Sequence, residues 1–177
     1  VLDCLIVKPG GSEAVPAVAT IVMRRSAALL VYRRTRDGLQ VFLVHPGGPF
    51  WAKKDQGAWS IPKGEFDESE DGLAAAKREF FEEVGQTIDG DCVALIPVKQ
   101  KGGKIIYTWA VEGDVDEAAV KSNEFEMEWP PRSGRKARFP EVDRGQWFSI
   151  AEARRRLLSS QVPIINELAA RLGAGKH

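Results

Sequence analysis

Glu79, Glu82 and Glu83 stand at positions i, i+3 and i+4, with Arg78 immediately before them. On a helix at about 100° per residue the three carboxylates share one patch. Leu73, Ala76, Phe80 and Val84 then fall on a neighbouring narrow arc that must face a core. The clustering has a cost: like charges at i, i+4 destabilise a helix by about 0.2–0.5 kcal/mol per pair. These acids also lie towards the C-terminal end, where the helix dipole disfavours negative charge. Arg78 offsets part of this through an i, i+4 contact with Glu82. A hard divalent cation would balance the rest, because Mg²⁺ prefers carboxylate and water oxygens and bridges readily to phosphate. The plain alternative is a solvated acidic helix face, which is what an arbitrary Glu-x-x-Glu-Glu usually means.

The elements around this patch can be read in outline. Ser26 to Arg34 and Leu39 to His45 are apolar, partly β-branched runs on either side of Arg36-Asp37-Gly38, a hairpin signal. Trp59-Ser60-Ile61 reads as a short strand stopped by Pro62-Lys63-Gly64. The helix is expected over Leu73 to Val84, with Gly85 as its left-handed cap and Asp67 and Glu70 at the spacing of a capping box. Cys92 to Val98 and Lys104 to Val111 read as strands, and Ser122 to Pro140 as a long irregular loop of the kind that is usually functional or mobile. Gln146 to Ser149 is a last strand, followed by helices over Ile150 to Leu158 and Val162 to Leu172.

With 177 residues and 44% hydrophobic content, the chain fits one domain with a sizeable core. Twenty-five basic residues balance 25 acidic ones, which argues against a bulk electrostatic grip on nucleic acid or a membrane surface. Cys4 and Cys92, far apart and without metal-ligand spacing, fit a reducing cytoplasmic setting better than a disulfide framework. No apolar run is long enough to cross a bilayer. Residues 1–22 are rich in Gly, Pro, Ala and Val and lack a clear period, so the folded domain is expected over 23–177, with 1–22 as an extension.

Gly64, Glu70, Arg78, Glu79, Phe80, Glu82, Glu83 and Gly85 match in order and spacing the signature of the Nudix hydrolase family. Gln86 stands where that signature usually ends on an aliphatic residue. The resemblance covers about residues 24 to 172. It implies a mixed β-sheet in an α/β/α sandwich, with a loop–helix–loop box over it, and MutT-like pyrophosphohydrolase chemistry. It further implies Glu79, Glu82 and Glu83 as ligands of Mg²⁺ (or Mn²⁺ in its place), with the Gly64 carbonyl as a further ligand, Arg78 as an orienting residue and Glu70 as a stabiliser of the box. The base varies within the family, and Glu79 and Glu141 are the candidates. Glu141 lies in Pro140-Glu-Val-Asp-Arg-Gly-Gln-Trp147, which resembles a segment of dinucleoside polyphosphate and RNA pyrophosphohydrolases. The alternative for Glu141 is a loop carboxylate paired with Arg138 or Arg144.

Trp59-Ser-Ile-Pro-Lys-Gly64 resembles the entry to the box in diadenosine polyphosphate and diphosphoinositol polyphosphate hydrolases, although Glu65 replaces the His that often follows there. Lys63 is thus a candidate point charge on phosphate; the alternative is a surface lysine in a turn. Lys53, Lys54, Arg132, Arg135 and Lys136 would add positive charge around a polyphosphate if the loops fold towards the site; the alternative is independently solvated side chains. Trp129 and Tyr107, with Trp51, are candidates to stack on a base, core packing being the alternative. His45 is the only internal histidine and has no Ser or Cys partner in a recognisable motif. The expected substrate is a dinucleoside polyphosphate or nucleoside triphosphate, handled by a monomer or homodimer. The alternatives are a diphosphoinositol polyphosphate, a 5′ RNA end, or a nucleotide-sensing module without catalysis.

Overall fold

The computed structural model describes residues 24–173, so the proposed extension over 1–22 lies outside the described residues. The elements in chain order are β1 (Arg25–Thr35), β2 (Gly38–Pro46), β3 (Lys63–Phe66), α1 (Gly72–Val84), β4 (Val93–Ala94), β5 (Val98–Lys99) and β6 (Ile105–Glu112). They continue with β7 (Glu124–Glu128), β8 (Lys136–Pro140), β9 (Val142–Ser149), α2 (Ile150–Arg156) and α3 (Val162–Arg171). Seven strands form one mixed sheet in the order β4-β6-β1-β2-β9, with β3 also pairing β1 and β5 also pairing β6. β1 runs parallel to β6 and antiparallel to β2 and β3.

The apolar run of β1 follows from its place at the centre of this sheet. Ala27, Leu29 and Val31 point to one face and pack with Ala76, Phe80 and Val84 of α1. Ala28 and Leu30 point to the other, where Trp59, Phe148, Leu157, Ile164 and Leu168 lie under α2 and α3. A strand covered on both sides has no polar face to show, and the result is the expected α/β/α sandwich. Burying a side chain such as Phe80, 1% exposed, contributes about 1.5–3 kcal/mol. No helix among the described residues is long and apolar enough to cross a membrane.

Several local expectations need correction. Trp59 and Ser60 make only single bridges, to Leu157 and Val44. The strand lies beyond Pro62 instead, where Lys63 to Phe66 pair with Ala28 to Arg25. The α1 cap is Asp71, whose carboxylate accepts from the Ala74 N–H at 2.9 Å. Asp67 closes a turn onto Ser69, and Glu70 is engaged with Arg78, so there is no capping box. Cys92 to Val98 is broken into two short pieces, β4 and β5. The stretch 122–140 is an ordered antiparallel hairpin, β7–β8, with Phe125 opposite Phe139 and Glu128 opposite Lys136.

Candidate active site

The α1 carboxylates are placed by three connected features. Asp71 starts the helix and Gly85, at φ 76°, ends it in a left-handed turn whose N–H reaches the Phe81 carbonyl. Phe80 and Val84 lock one face onto β1, which turns Glu79, Glu82 and Glu83 along the edge where β3 lies. The chain returning from β6 then satisfies the free carbonyls of the last turn. Lys121 N–H donates to Val84 at 3.0 Å and Asn123 N–H donates to Glu82 at 2.8 Å.

Arg78 organises the acids. Its guanidinium grips Glu70 with two hydrogen bonds, at 2.9 and 3.0 Å, and donates to Glu79 at 2.6 Å and Glu82 at 3.3 Å. A planar fork suits this bidentate grip in a way an ammonium would not. The Glu79 carboxyl lies directly against Gly64, where a Cβ would sit 1.9 Å from it. Glycine is therefore required by close approach, and it leaves the Gly64 backbone beside the carboxylates.

Burial pushes the Glu83 carboxyl up to about 8; Lys63 opposes this, while Glu79 and Glu141 add to it. Glu79 is also raised, first by burial and against the pull of Arg78, with Glu82 and Glu141 reinforcing the rise. Glu141 thus acts on both carboxylates although it comes from the far side of the hairpin. Neither arginine proposed as its partner is on it: Arg144 pairs with Asp143, and Arg138 with Glu124. Half-buried Lys63 has its pKa lowered by desolvation, opposed by Glu83 and Glu79.

Among the described residues, no three Asp, Glu, His or Cys side chains converge into a ready metal cage. Glu79 and Glu82 are turned onto Arg78 instead. The donor chemistry nevertheless fits a hard divalent ion, with carboxylate oxygens abutting the Gly64 backbone and, beside them, the Glu83 carboxyl whose raised pKa a neighbouring cation would lower. Gln86, the departure from the usual box ending, exchanges two hydrogen bonds with the backbone of Asp116, at 2.9 and 3.0 Å. It ties the helix end to the loop after β6 in place of apolar packing.

The remaining candidates lie further out. Trp129 is near the end of β7, edge-on to Phe50 and Phe139 at 5.5 and 6.5 Å between ring centroids. Arg132, at φ 62°, and Arg135 are exposed in the turn of the same hairpin. Gly47 N–H donates to the Glu141 carbonyl and Glu141 N–H to that of Asn123, so the hairpin's base meets the end of α1. Tyr107 is in the sheet row Gly64–Ala27–Tyr107, two strands from Gly64 and edge-on to Phe66. Trp51 carries the Lys54 ammonium over its ring at 4.8 Å. His45, which has no Ser or Cys partner among the described residues, is fully buried and bonded at both ring nitrogens, to Asp143 and to the Lys54 carbonyl. Asp143 shares the Pro-Glu-x-Asp segment with Glu141, but nothing in that segment points to His45, 98 residues away.

The fold recurs in solved structures. An Ap4A hydrolase of C. elegans superposes with a TM-score of 0.57 at 19% identity, covering 85% of this chain and 98% of that one. The NUDIX domain of Shewanella oneidensis NrtR, complexed with ADP ribose, gives 0.58 at 15%, covering 84% and 87%. A mutT/nudix family protein of Listeria innocua gives 0.55 at 17%, covering 85% and 94%. No curated protein matches by sequence. The family model for the NUDIX domain matches residues 16–168. With that match spanning most of the chain and the box intact from Gly64 to Gly85, the chain belongs to the Nudix family, whose members generally use divalent cations, and is a pyrophosphohydrolase of nucleoside diphosphate-linked substrates.

Proposed function

We propose that the enzyme hydrolyses, with Mg²⁺, a phosphoanhydride bond of a dinucleoside polyphosphate or a nucleoside triphosphate. The observation that carries this reading is the meeting of Glu79 and Glu83 from α1 with Glu141 from the hairpin base, beside Lys63 and Gly64 of β3. Glu79, Glu82, Glu83 and the Gly64 carbonyl would hold the cation, which would polarise a phosphoryl oxygen and stabilise the leaving phosphate. Arg78 keeps the carboxylates in place. Water attacks phosphorus, the bridging P–O bond breaks towards the leaving phosphate, and the water's proton passes to Glu141 or Glu79. Lys63 offers its charge to a phosphate. Trp129, Arg132 and Arg135 reach a more distant part of the substrate from the hairpin, whereas Tyr107, packed on Phe66, is less well placed.

The test is product analysis with Mg²⁺ against diadenosine polyphosphates, nucleoside triphosphates, nucleotide sugars, diphosphoinositols and 5′-triphosphate RNA. Diadenosine tetraphosphate is expected to give ATP and AMP, with turnover abolished by EDTA. Glu83→Gln should fold and lose on the order of 100-fold in kcat, as loss of one charged transition-state contact does. Normal turnover by that variant would refute the metal assignment. Nucleotide binding without turnover of any substrate would instead indicate a sensing module.

A further inference from the structure

We propose that His45 is a positioning residue that ties the loop 47–58 and the Glu141 segment into one unit through Lys54 and Asp143; its catalytic part rests on the role just given to Glu141. His45 ends the buried run of β2 and is 0% exposed, with its ring edge-on to Trp59 at 5.2 Å. Nε2 lies 2.7 Å from the Lys54 carbonyl and Nδ1 lies 2.9 Å from an Asp143 carboxylate oxygen. The first bond holds the middle of the loop that carries Trp51, Lys53 and Lys54. The second holds β9 two residues after Glu141.

The register of β9 explains why Asp143 reaches inwards. His45 pairs with Arg144 and Pro46 with Val142, so Asp143 is the extra residue of a β-bulge. A bulge re-aims the side chains on either side of it, and a one-residue change of register would turn every side chain before it to the opposite face. His45 holds the bulged residue by its carboxylate, and Glu141 follows as the next outward position. The backbone closes the same loop from outside, since Gly47 donates to the Glu141 carbonyl at 2.9 Å. Asp55, bonded to Trp59 and paired with Arg156, anchors the loop's far end independently.

The hydrogen-bond arithmetic supplies a discriminating variant. The Lys54 carbonyl can only accept, so Nε2 donates to it, and Nδ1 and the carboxylate must share one further proton. In Asp143→Asn the carboxamide donates to Nδ1 of a neutral ring and keeps both bonds. Asp143→Ala and His45→Gln cannot keep both.

Two measurements decide the matter. Amide hydrogen exchange at Gly47 and Lys54 needs no activity: it should accelerate about tenfold or more in His45→Gln and Asp143→Ala and stay near wild type in Asp143→Asn. Unchanged exchange in His45→Gln would overturn the clamp. In steady-state hydrolysis His45→Gln should lower kcat about tenfold with KM within about twofold, the signature of a misplaced group. The same substitution in a Glu141→Gln background should cost nothing further. Equal losses in both backgrounds would overturn the coupling to Glu141, as would an Asp143→Asn enzyme as slow as Asp143→Ala. A fully active Glu141→Gln enzyme would instead remove the role given to Glu141, while the exchange result still decides the clamp.

Discussion

Burial holds the Glu83 carboxyl up to about 8 in the folded chain, against an ordinary value of 4.5. Lys63 pulls it down, and Glu79 and Glu141 push it up. Between these two values the folded chain keeps a proton that the unfolded chain has released. Stability therefore falls as pH rises through this window and is constant again above it. Glu79 shifts in the same direction. Carboxylates held low by their partners, such as Glu65 beneath Lys104 and Arg24, act only at more acid pH. If Glu83 holds a divalent cation as proposed, the cation would replace the proton and remove the penalty. In EDTA the melting temperature should fall from about pH 5 to about pH 8, and the fall should be smaller with Mg²⁺ present. The difference between wild type and Glu83→Gln isolates the group: the variant's profile should be flatter, and parallel profiles would exclude Glu83 as the cause. The i, i+3, i+4 spacing made this patch legible in the sequence, because one helix carries all three acids. The His45–Asp143 contact was not legible, because it joins β2 to a bulge 98 residues later that no local pattern announces.

Among the elements, legibility followed the length and nature of the connections. The β1–β2 hairpin turns through Arg36 and Asp37, with Thr35 opposite Gly38 at φ 113°, and such tight turns leave a clear residue signal. The β7–β8 hairpin also has a period of two: Phe125, Met127 and Trp129 alternate with Glu124, Glu126 and Glu128. Its turn, with Pro130-Pro131 and a basic run, hides that pattern. The outer face is a charge ladder, with Glu126 on Lys136 at 2.8 Å and Glu124 near Arg138 at 3.9 Å, and the inner face packs on the loop at Gly48 and Phe50. The hairpin forms a sheet of its own, and an isolated two-stranded ribbon is marginal on its own. Its contribution to global stability should be small. Replacing residues 124–140 by a short Gly-Ser turn, which the adjacent Asn123 and Glu141 can accept, should shift the melting temperature by only a few degrees. It should raise KM for diadenosine tetraphosphate about tenfold, equivalent to about 1.4 kcal/mol of binding. An unchanged KM would take Trp129, Arg132 and Arg135 out of the substrate site.

At the scale of the whole molecule, one sheet separates two apolar layers, and the proposed site lies where α1, β3 and the base of the hairpin meet at its edge. The resemblance carried by the box implied that architecture, and its physical basis is that β1 needs cover on both faces, which α1 supplies on one and α2 with α3 on the other. The described elements start at Arg25, and among the described residues the buried apolar side chains of both layers come from residues 27–169. The family match begins at residue 16, a few residues before the proposed start at 23. If 23–177 is the folding unit, a chain lacking residues 1–22 should unfold in one transition within about 2 °C of the full chain, with unchanged kcat. If residues 16–22 complete a layer instead, their removal should cost at least about 1 kcal/mol, which lowers the melting temperature by about 2–4 °C in a domain of this size. A chain beginning at residue 16 should then recover the full value. Thermal melts of the two shortened chains beside the full one therefore locate the boundary, and only full stability without residues 16–22 supports the start at 23.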